Sequence, residues 1–438
     1  TESDDSMAFL IELLHDPEPK VRNSAITTSS KKYNSEVIFS LIDSLNNPLH
    51  SNQATNALVL IGGACLPHLD NAFYRSGQNT QTMIRIIQVM GRIGGQKAKD
   101  SLWNKIDYPD KVIVSQVLLS LGEAGFKAGM SQITRIKFAI ESDIEDITWN
   151  LTAIQELQGN AKNIQVIQAL EHEIQSDIEH IYMLLAMLYD TRSIQLVKEN
   201  IESGTTEGTT YAVELLDVFL SDQLKQRVIP VLDDLTVREK INRLEIFFPT
   251  TQLDEKLYLK FLINRDFTQS NRWTKACVLN QIGEQGLGAF SLDLIAQLFN
   301  PDLLIRQAAA RALYQINPEL YNENVVRLGE DEKRRLDRVV VSSAENRIML
   351  YDKIIFFKTV SVFEGIPGIG LSFLADISFE TFLLKDQSMS IDEKVNNDFL
   401  IVYSGVVQFY NKGKYIQDFT KGQFIGEMVA QSGFAQAN

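Results

Sequence analysis

A helix, a proline-marked turn and a second helix recur along the first third of this chain, and that recurrence limits the fold more than any single motif. Met7 to Leu14 is a short amphipathic run, Asp16-Pro17-Glu18-Pro19 interrupts it, and Lys20-Val21-Arg22 opens a second helical pattern through Ala25 and Ile26. The pattern returns from Val37 to Leu45, across Asn46-Asn47-Pro48, and on through Ala54, Ala57, Leu58 and Ile61 to Gly62. It returns again along Met83, Ile87, Met90 and Ile93 to Gly94, then from Leu102 across Asp107-Tyr108-Pro109-Asp110 to Gly125. Gly62, Gly94 and Gly125 are spaced by roughly 30 residues, as in a helical-hairpin repeat. A glycine at that place can close its helix in the left-handed conformation that residues with a Cβ avoid. One such hairpin cannot bury its own apolar face, so stacking must supply the core and leave a long surface for partners.

From about Gln132 to Phe248 the helical spacing continues but the punctuation fades. Leu151, Ile154 and Leu157 share a face, as do Ile181, Leu184, Leu185 and Leu188; Gly204 and Gly208 among threonines mark a loop, and Arg227 to Leu232 reads as a turn into another helix. The repeat signal returns at Trp273, Ala276, Leu279, Ile282 and Gly283, then at Asn300-Pro301-Asp302, Ile305-Arg306 and the alanine-rich run Ala308 to Ile316. Gly329 to Arg338 is a charged connector.

After Tyr351 the vocabulary changes. Leu371, Leu374 and Ile377 fit a short helix, whereas Glu380 to Leu384, Phe399 to Tyr403, Val406 to Tyr410 and Lys414 to Ile416 read as strands, the last two joined by a turn at Asn411-Lys412-Gly413. The expected fold is therefore mostly α: a helical solenoid over residues 1–325, a connector over 326–345 and a small antiparallel β-roll over 346–438.

Composition narrows the function classes. The 438 residues carry a net charge of -14, which argues against a surface for nucleic-acid phosphates; Lys333, Arg334, Arg335 and Arg338 read as a solvated helix face. Cys65 and Cys277 sit in apolar helical patterns and suit a reducing compartment better than a disulfide framework. No apolar run approaches the roughly 18 residues that a membrane span needs. The chain opens on Thr1-Glu2-Ser3 without an initiator methionine, which reads as part of something longer. His15, His50, His68, His172 and His180 show no metal-ligand spacing with the cysteines, and Asp143, Glu145 and Asp146 are expected to solvate a helix start. Gly365, Gly368 and Gly370 lack the Gly-Lys-Ser/Thr of a phosphate loop, and no hydrolase elbow or His-Glu-x-x-His is present, so no enzyme is expected.

The turn from Asp16 to Arg22, its echo from Pro301-Asp302 to Ile305-Arg306, and the pairs Ile61-Gly62, Ile93-Gly94 and Ile282-Gly283 resemble HEAT repeats over about residues 7 to 320. That resemblance implies structural, hairpin-ordering roles for Asp16, Arg22, Asp302 and Arg306. Phe363-Glu364-Gly365-Ile366-Pro367, Val402-Tyr403-Ser404-Gly405 and Gly422-Gln423-Phe424-Ile425-Gly426-Glu427 resemble, in that order, the cyclic nucleotide-binding domain family. The resemblance implies a ligand site at Gly426, Glu427, Gln436 and Ala437, with the glutamate on the ribose and an arginine on the phosphate. Ala435 and Gln436 stand where the family has its proline and arginine, and the chain stops at Asn438, before the family's last strands and lid helix. A neutral amide in place of the cation removes on the order of 1.5–3 kcal/mol. No cofactor is therefore expected, a cyclic nucleotide being the one ligand the resemblance suggests.

The combination, together with Phe73 to Thr80 and Lys105 to Lys111, is similar to the cytoplasmic tail of bacterial ATP/ADP-carrier-like transporters of the major facilitator class. This implies a non-enzymatic regulatory module at the cytoplasmic face of the inner membrane, its partner the transporter's membrane domain. A cyclic-nucleotide or other anion receptor, and a stand-alone protein scaffold, are the alternatives.

Overall fold

The computed structural model describes residues 2–341, 347–385, 387–388, 400–411 and 414–425. The chain forms two compact units, one of Thr1–Tyr258 with Arg265–Asn271, the other of Leu259–Asn264 with Arg272–Asn438.

The first unit opens with α1 (Glu2–Leu14), α2 (Pro19–Ser29), α3 (Ser35–Ser44), α4 (Ser51–Ile61), α5 (Leu66–Phe73), α6 (Thr80–Ile93), α7 (Gly95–Trp103) and α8 (Lys111–Glu123). Successive helices pair as hairpins, and each also packs on the helix two places along, so α1, α3, α5 and α7 make one layer and α2, α4, α6 and α8 the other. This is the stacked arrangement that the repeated helix–turn–helix pattern predicts. Local chemistry fixes the ends: Asn34, Asn79 and Asp110 side chains accept from the backbone N–H groups of Val37, Thr82 and Val112 at the starts of α3, α6 and α8. Gly62 and Gly94 close α4 and α6 at φ 72° and 64°.

The faded middle contains α9 (Ile133–Leu157), α10 (Ile164–Leu188), α11 (Thr191–Glu202), α12 (Thr206–Phe219), α13 (Asp222–Leu232) and α14 (Val237–Leu244). The first two are 25 residues each and lie against one another, with α8 and α11 packed on α10 and α13 and α14 on α9. Gly208 is inside α12 rather than in a loop, and Arg227 to Leu232 is the end of α13, with Pro230 in its last turn, rather than a turn. One continuous apolar core runs through this unit from Leu10 to Leu244.

Helix α15 (Glu255–Asn264) belongs in part to each unit. The second unit continues with α16 (Arg272–Glu284), α17 (Ser291–Leu298), α18 (Leu303–Ile316), α19 (Pro318–Val325), α20 (Glu330–Val340), α21 (Leu350–Phe357) and α22 (Gly368–Ile377). Alanines 308, 309, 310 and 312 on α18 are fully buried, and α16 lies close against that helix. Gly283 does not close a helix, as its place after Ile282 suggested. It is within α16, where a Cβ would stand 2.8 Å from the Cα of Ala312, so it is a close-packing glycine; the left-handed closure falls at Gly286, φ 64°. Helices α18 and α20 pack together, which makes most of the charged connector helical. Helix α22 packs on α16, and the Trp273 and Tyr351 rings stack with centroids 5.3 Å apart.

Four short strands follow: β1 (Leu400–Ile401), β2 (Val406–Asn411), β3 (Lys414–Thr420) and β4 (Phe424–Ile425). β1 pairs antiparallel with β4 and β2 with β3, Val402, Phe419 and Ile425 forming their core. The strand expected over Glu380 to Leu384 does not form. Glu380 is instead held by polar contacts, accepting from the Ile348 backbone N–H at 3.2 Å and pairing with the Lys353 ammonium at 3.1 Å. The fold is mostly α with a small antiparallel β part. Among the described residues, no helix is long and apolar enough to cross a membrane.

Candidate partner-binding face

The outer surface of α4, α6 and α8 is built from positions three and four apart, which on one helix share a face. Buried residues such as Ala54, Ala57 and Leu58 on α4 and Ile86, Ile87, Val89 and Met90 on α6 turn inward, leaving Asn52 and Asn56, Arg85, Gln88 and Arg92, and Gln116, Leu119 and Glu123 outward. All of these except Asn56 line a groove of about 340 Å³, together with Ser51 and Thr55. Arg92 Nη2 donates to Asn56 Oδ1 at 3.1 Å and Gln88 Nε2 to Gln116 Oε1 at 3.0 Å, so α6 is tied laterally to both neighbours. Arg85 donates to the Leu45 carbonyl oxygen, and burial lowers its pKa from the usual arginine range. Among the described residues neither Arg85 nor Arg92 makes an ion pair with a carboxylate. A partly desolvated guanidinium without a counter-charge favours a ligand that brings carboxylates. The polar spacing of Arg85, Gln88 and Arg92 on an otherwise apolar helix was the available sequence signal for this face.

The repeat-turn residues share one geometry, with a shift of register. Arg22 reaches back to the carbonyl oxygen of Asp16, with Nε at 3.0 Å and Nη2 at 2.6 Å, while Asp16 Oδ1 accepts from the Glu18 backbone N–H at 2.8 Å. Arg306 Nε reaches the carbonyl oxygen of Asn300 at 2.9 Å, and Asn300 Oδ1 accepts from the Asp302 N–H at 2.9 Å. Asn300, six residues before its arginine, thus does what Asp16 does. Asp302 instead caps α18, accepting from Ile305 N–H at 3.2 Å, and its Oδ2 lies 2.8 Å from Arg272 Nε. Gly426, Glu427, Gln436 and Ala437 lie outside the described residues.

Asp143, Glu145 and Asp146 do not solvate a helix start. They lie mid-way along α9, and Asp146 is buried between Lys111 Nζ at 3.1 Å and Arg265 Nη2 at 2.7 Å. Lys111, the first residue of α8, also reaches Asp177 Oδ1 on α10 at 2.6 Å. Burial opposes the Lys111 charge, but the carboxylates of Asp177, Asp146, Asp143 and Glu173 outweigh it and hold the ammonium above the usual lysine range. Burial pushes the Asp146 and Asp177 carboxyls up, against the pull of Lys111. Neither cysteine is in a disulfide, and both are buried.

The fold thus defines a helical-repeat protein with a small C-terminal β part. No protein-family model matches the chain, and no curated protein matches it. Among solved structures, human deoxyhypusine hydroxylase in complex with glycerol is similar at 11% identity and a TM-score of 0.25, over 72% of this chain and 97% of that one. An engineered protein is similar at 15% identity and a TM-score of 0.23, over 76% and 97% of the two chains.

Proposed function

We propose that this chain is a non-enzymatic interaction and regulatory module, and that it docks a partner segment rich in carboxylates on the α4–α6–α8 face. This reading rests on Arg85 and Arg92, two cations that line one groove with a single carboxylate, Glu123, and that make no ion pair among the described residues of a protein whose net charge is -14. Two stacked layers of helical hairpins support it, because such an array spreads a continuous surface over several repeats.

The identity of the larger assembly follows from the sequence resemblance: the soluble, cytoplasmic part of a bacterial nucleotide transporter, the partner being the membrane domain of the same full-length chain. The reading frame upstream of the Thr1 codon tests this. About 400 codons containing apolar runs of about 20 residues support it, and a frame without them leaves a stand-alone scaffold. Calorimetry with cyclic AMP and cyclic GMP on a chain extended past Asn438 tests the receptor alternative. Submillimolar binding that is lost in Glu427→Ala favours that alternative, and absence of heat favours the scaffold.

A further inference from the structure

The packing of α8, α9 and α10 brings four carboxylates, Asp143, Asp146, Glu173 and Asp177, into a region largely removed from solvent, where Lys111 pairs with Asp146 and Asp177 and Arg265 with Asp146. Burying a carboxylate is costly unless each of its oxygens finds a partner.

The Ser115 hydroxyl lies 2.8 Å from the Lys111 carbonyl oxygen and 2.6 Å from His180 Nε2, so it engages that ring nitrogen. The other nitrogen, Nδ1, faces Asp143 Oδ1 at 3.6 Å. Close by, Asp177 is completely buried and its Oδ2 has no hydrogen-bond partner, Lys111 being on the other oxygen. One ligand atom from each of Asp143, Asp177 and His180 lies within 4.8 Å of the others.

We propose that Asp143, Asp177 and His180 bind one divalent transition-metal ion of the zinc or manganese class, through His180 Nδ1 and one oxygen of each carboxylate. Donors that share an ion at about 2 Å are at most about 4 Å apart, so side-chain shifts of about 1 Å close the site. The ion brings positive charge to the two carboxylates and a partner to the orphaned Asp177 Oδ2. Ser115 orients the imidazole through Nε2 in the manner of an outer-shell partner, and Asp143, which keeps 13% of its side chain exposed, provides the entry. The metal would be structural, pinning α9 to α10, because Lys111 and three protein ligands leave little room for substrate. No local spacing signals the site, since Asp143 is 34 residues from Asp177.

The test uses the whole chain, stripped with EDTA and then titrated with Zn²⁺ and Mn²⁺, with bound metal measured by mass spectrometry and unfolding by heat. The expected result is one ion per chain and a midpoint raised by on the order of 5 °C at saturating metal. Asp143→Asn, which has no other hydrogen bond to lose, should keep the apo fold by circular dichroism while losing both the ion and the shift; His180→Gln should do the same. No bound ion and no shift in the wild-type chain overturns the proposal. A shift that persists in both variants also overturns it, by placing the ion elsewhere.

Discussion

Lys111 Nζ lies 2.6 Å from Asp177 Oδ1, with 9% of the lysine side chain and none of the aspartate exposed. The two residues are 66 positions apart and come from different helical hairpins, so the pair joins α8 to α10 where the regular repeats give way to the long helices. Removing one partner of a buried pair strands the other charge. Lys111→Met should therefore cost about 3–5 kcal/mol in urea unfolding, and the double variant Lys111→Met/Asp177→Leu should recover a substantial part of that loss. A double-variant loss equal to the sum of the Lys111→Met and Asp177→Leu losses would show that the pair is not coupled.

A second lysine makes a pH prediction. Lys105 is fully buried, paired with Asp70 and placed 4.9 Å from the centroid of the Phe73 ring. Burial tends to raise the Asp70 carboxyl, but hydrogen bonds from Lys105 and Ser101 win and set it below the usual carboxylate range. A lowered folded value means stability that is complete above the unfolded value of about 4 and is lost as pH falls through the folded one. Asp70→Asn should be less stable at pH 7 by about 2–3 kcal/mol, discounted because Asp70 remains partly hydrated, and the gap should close in acid. Unfolding midpoints of the two proteins across pH 2 to 7 check it.

Gly283 and Gly62 separate two uses of glycine. Gly283→Ala pushes a methyl into the α18 backbone and should cost about 1–3 kcal/mol by overpacking. At Gly62 the space is open but φ is 72°, so Gly62→Ala should cost about 1 kcal/mol through backbone strain alone. Thermal unfolding of both variants gives the order.

Burial pushes the Cys65 thiol up to about 11. Because the thiolate is the reactive form, Cys65 should resist alkylation at pH 8 in the native chain and react on unfolding, a difference that peptide mapping after labelling reads directly. Rapid native labelling of Cys65 would contradict its burial.

What the sequence made legible was local. Turn prolines and the closing glycines at 62 and 94 depend on neighbours a few residues away, and the structure places them in those roles. The fate of Asp146 depends on Lys111, 35 residues upstream, and on Arg265, so a charged triplet that resembles a solvated helix start is in part a core element. Gly283 follows an isoleucine just as Gly62 and Gly94 do, and only the approach of α18 distinguishes it from them. Likewise Glu380 to Leu384 has strand-like composition but among the described residues no strand pairs with it, and pairing is a tertiary fact. Arg85, Gln88 and Arg92 form a polar stripe on α6 that the sequence reading did not single out, because the groove they line requires the neighbouring helices.

Site-specific photo-crosslinking in the source cells reads out whether the α4–α6–α8 face docks a protein. A photoreactive residue at Gln88, exposed in the middle of the groove, should give one dominant adduct, to a carboxylate-rich segment of a single polypeptide, and that adduct should fall at least tenfold in Arg85→Glu/Arg92→Glu. No adduct, or one that charge reversal leaves unchanged, would rule this face out as the docking site.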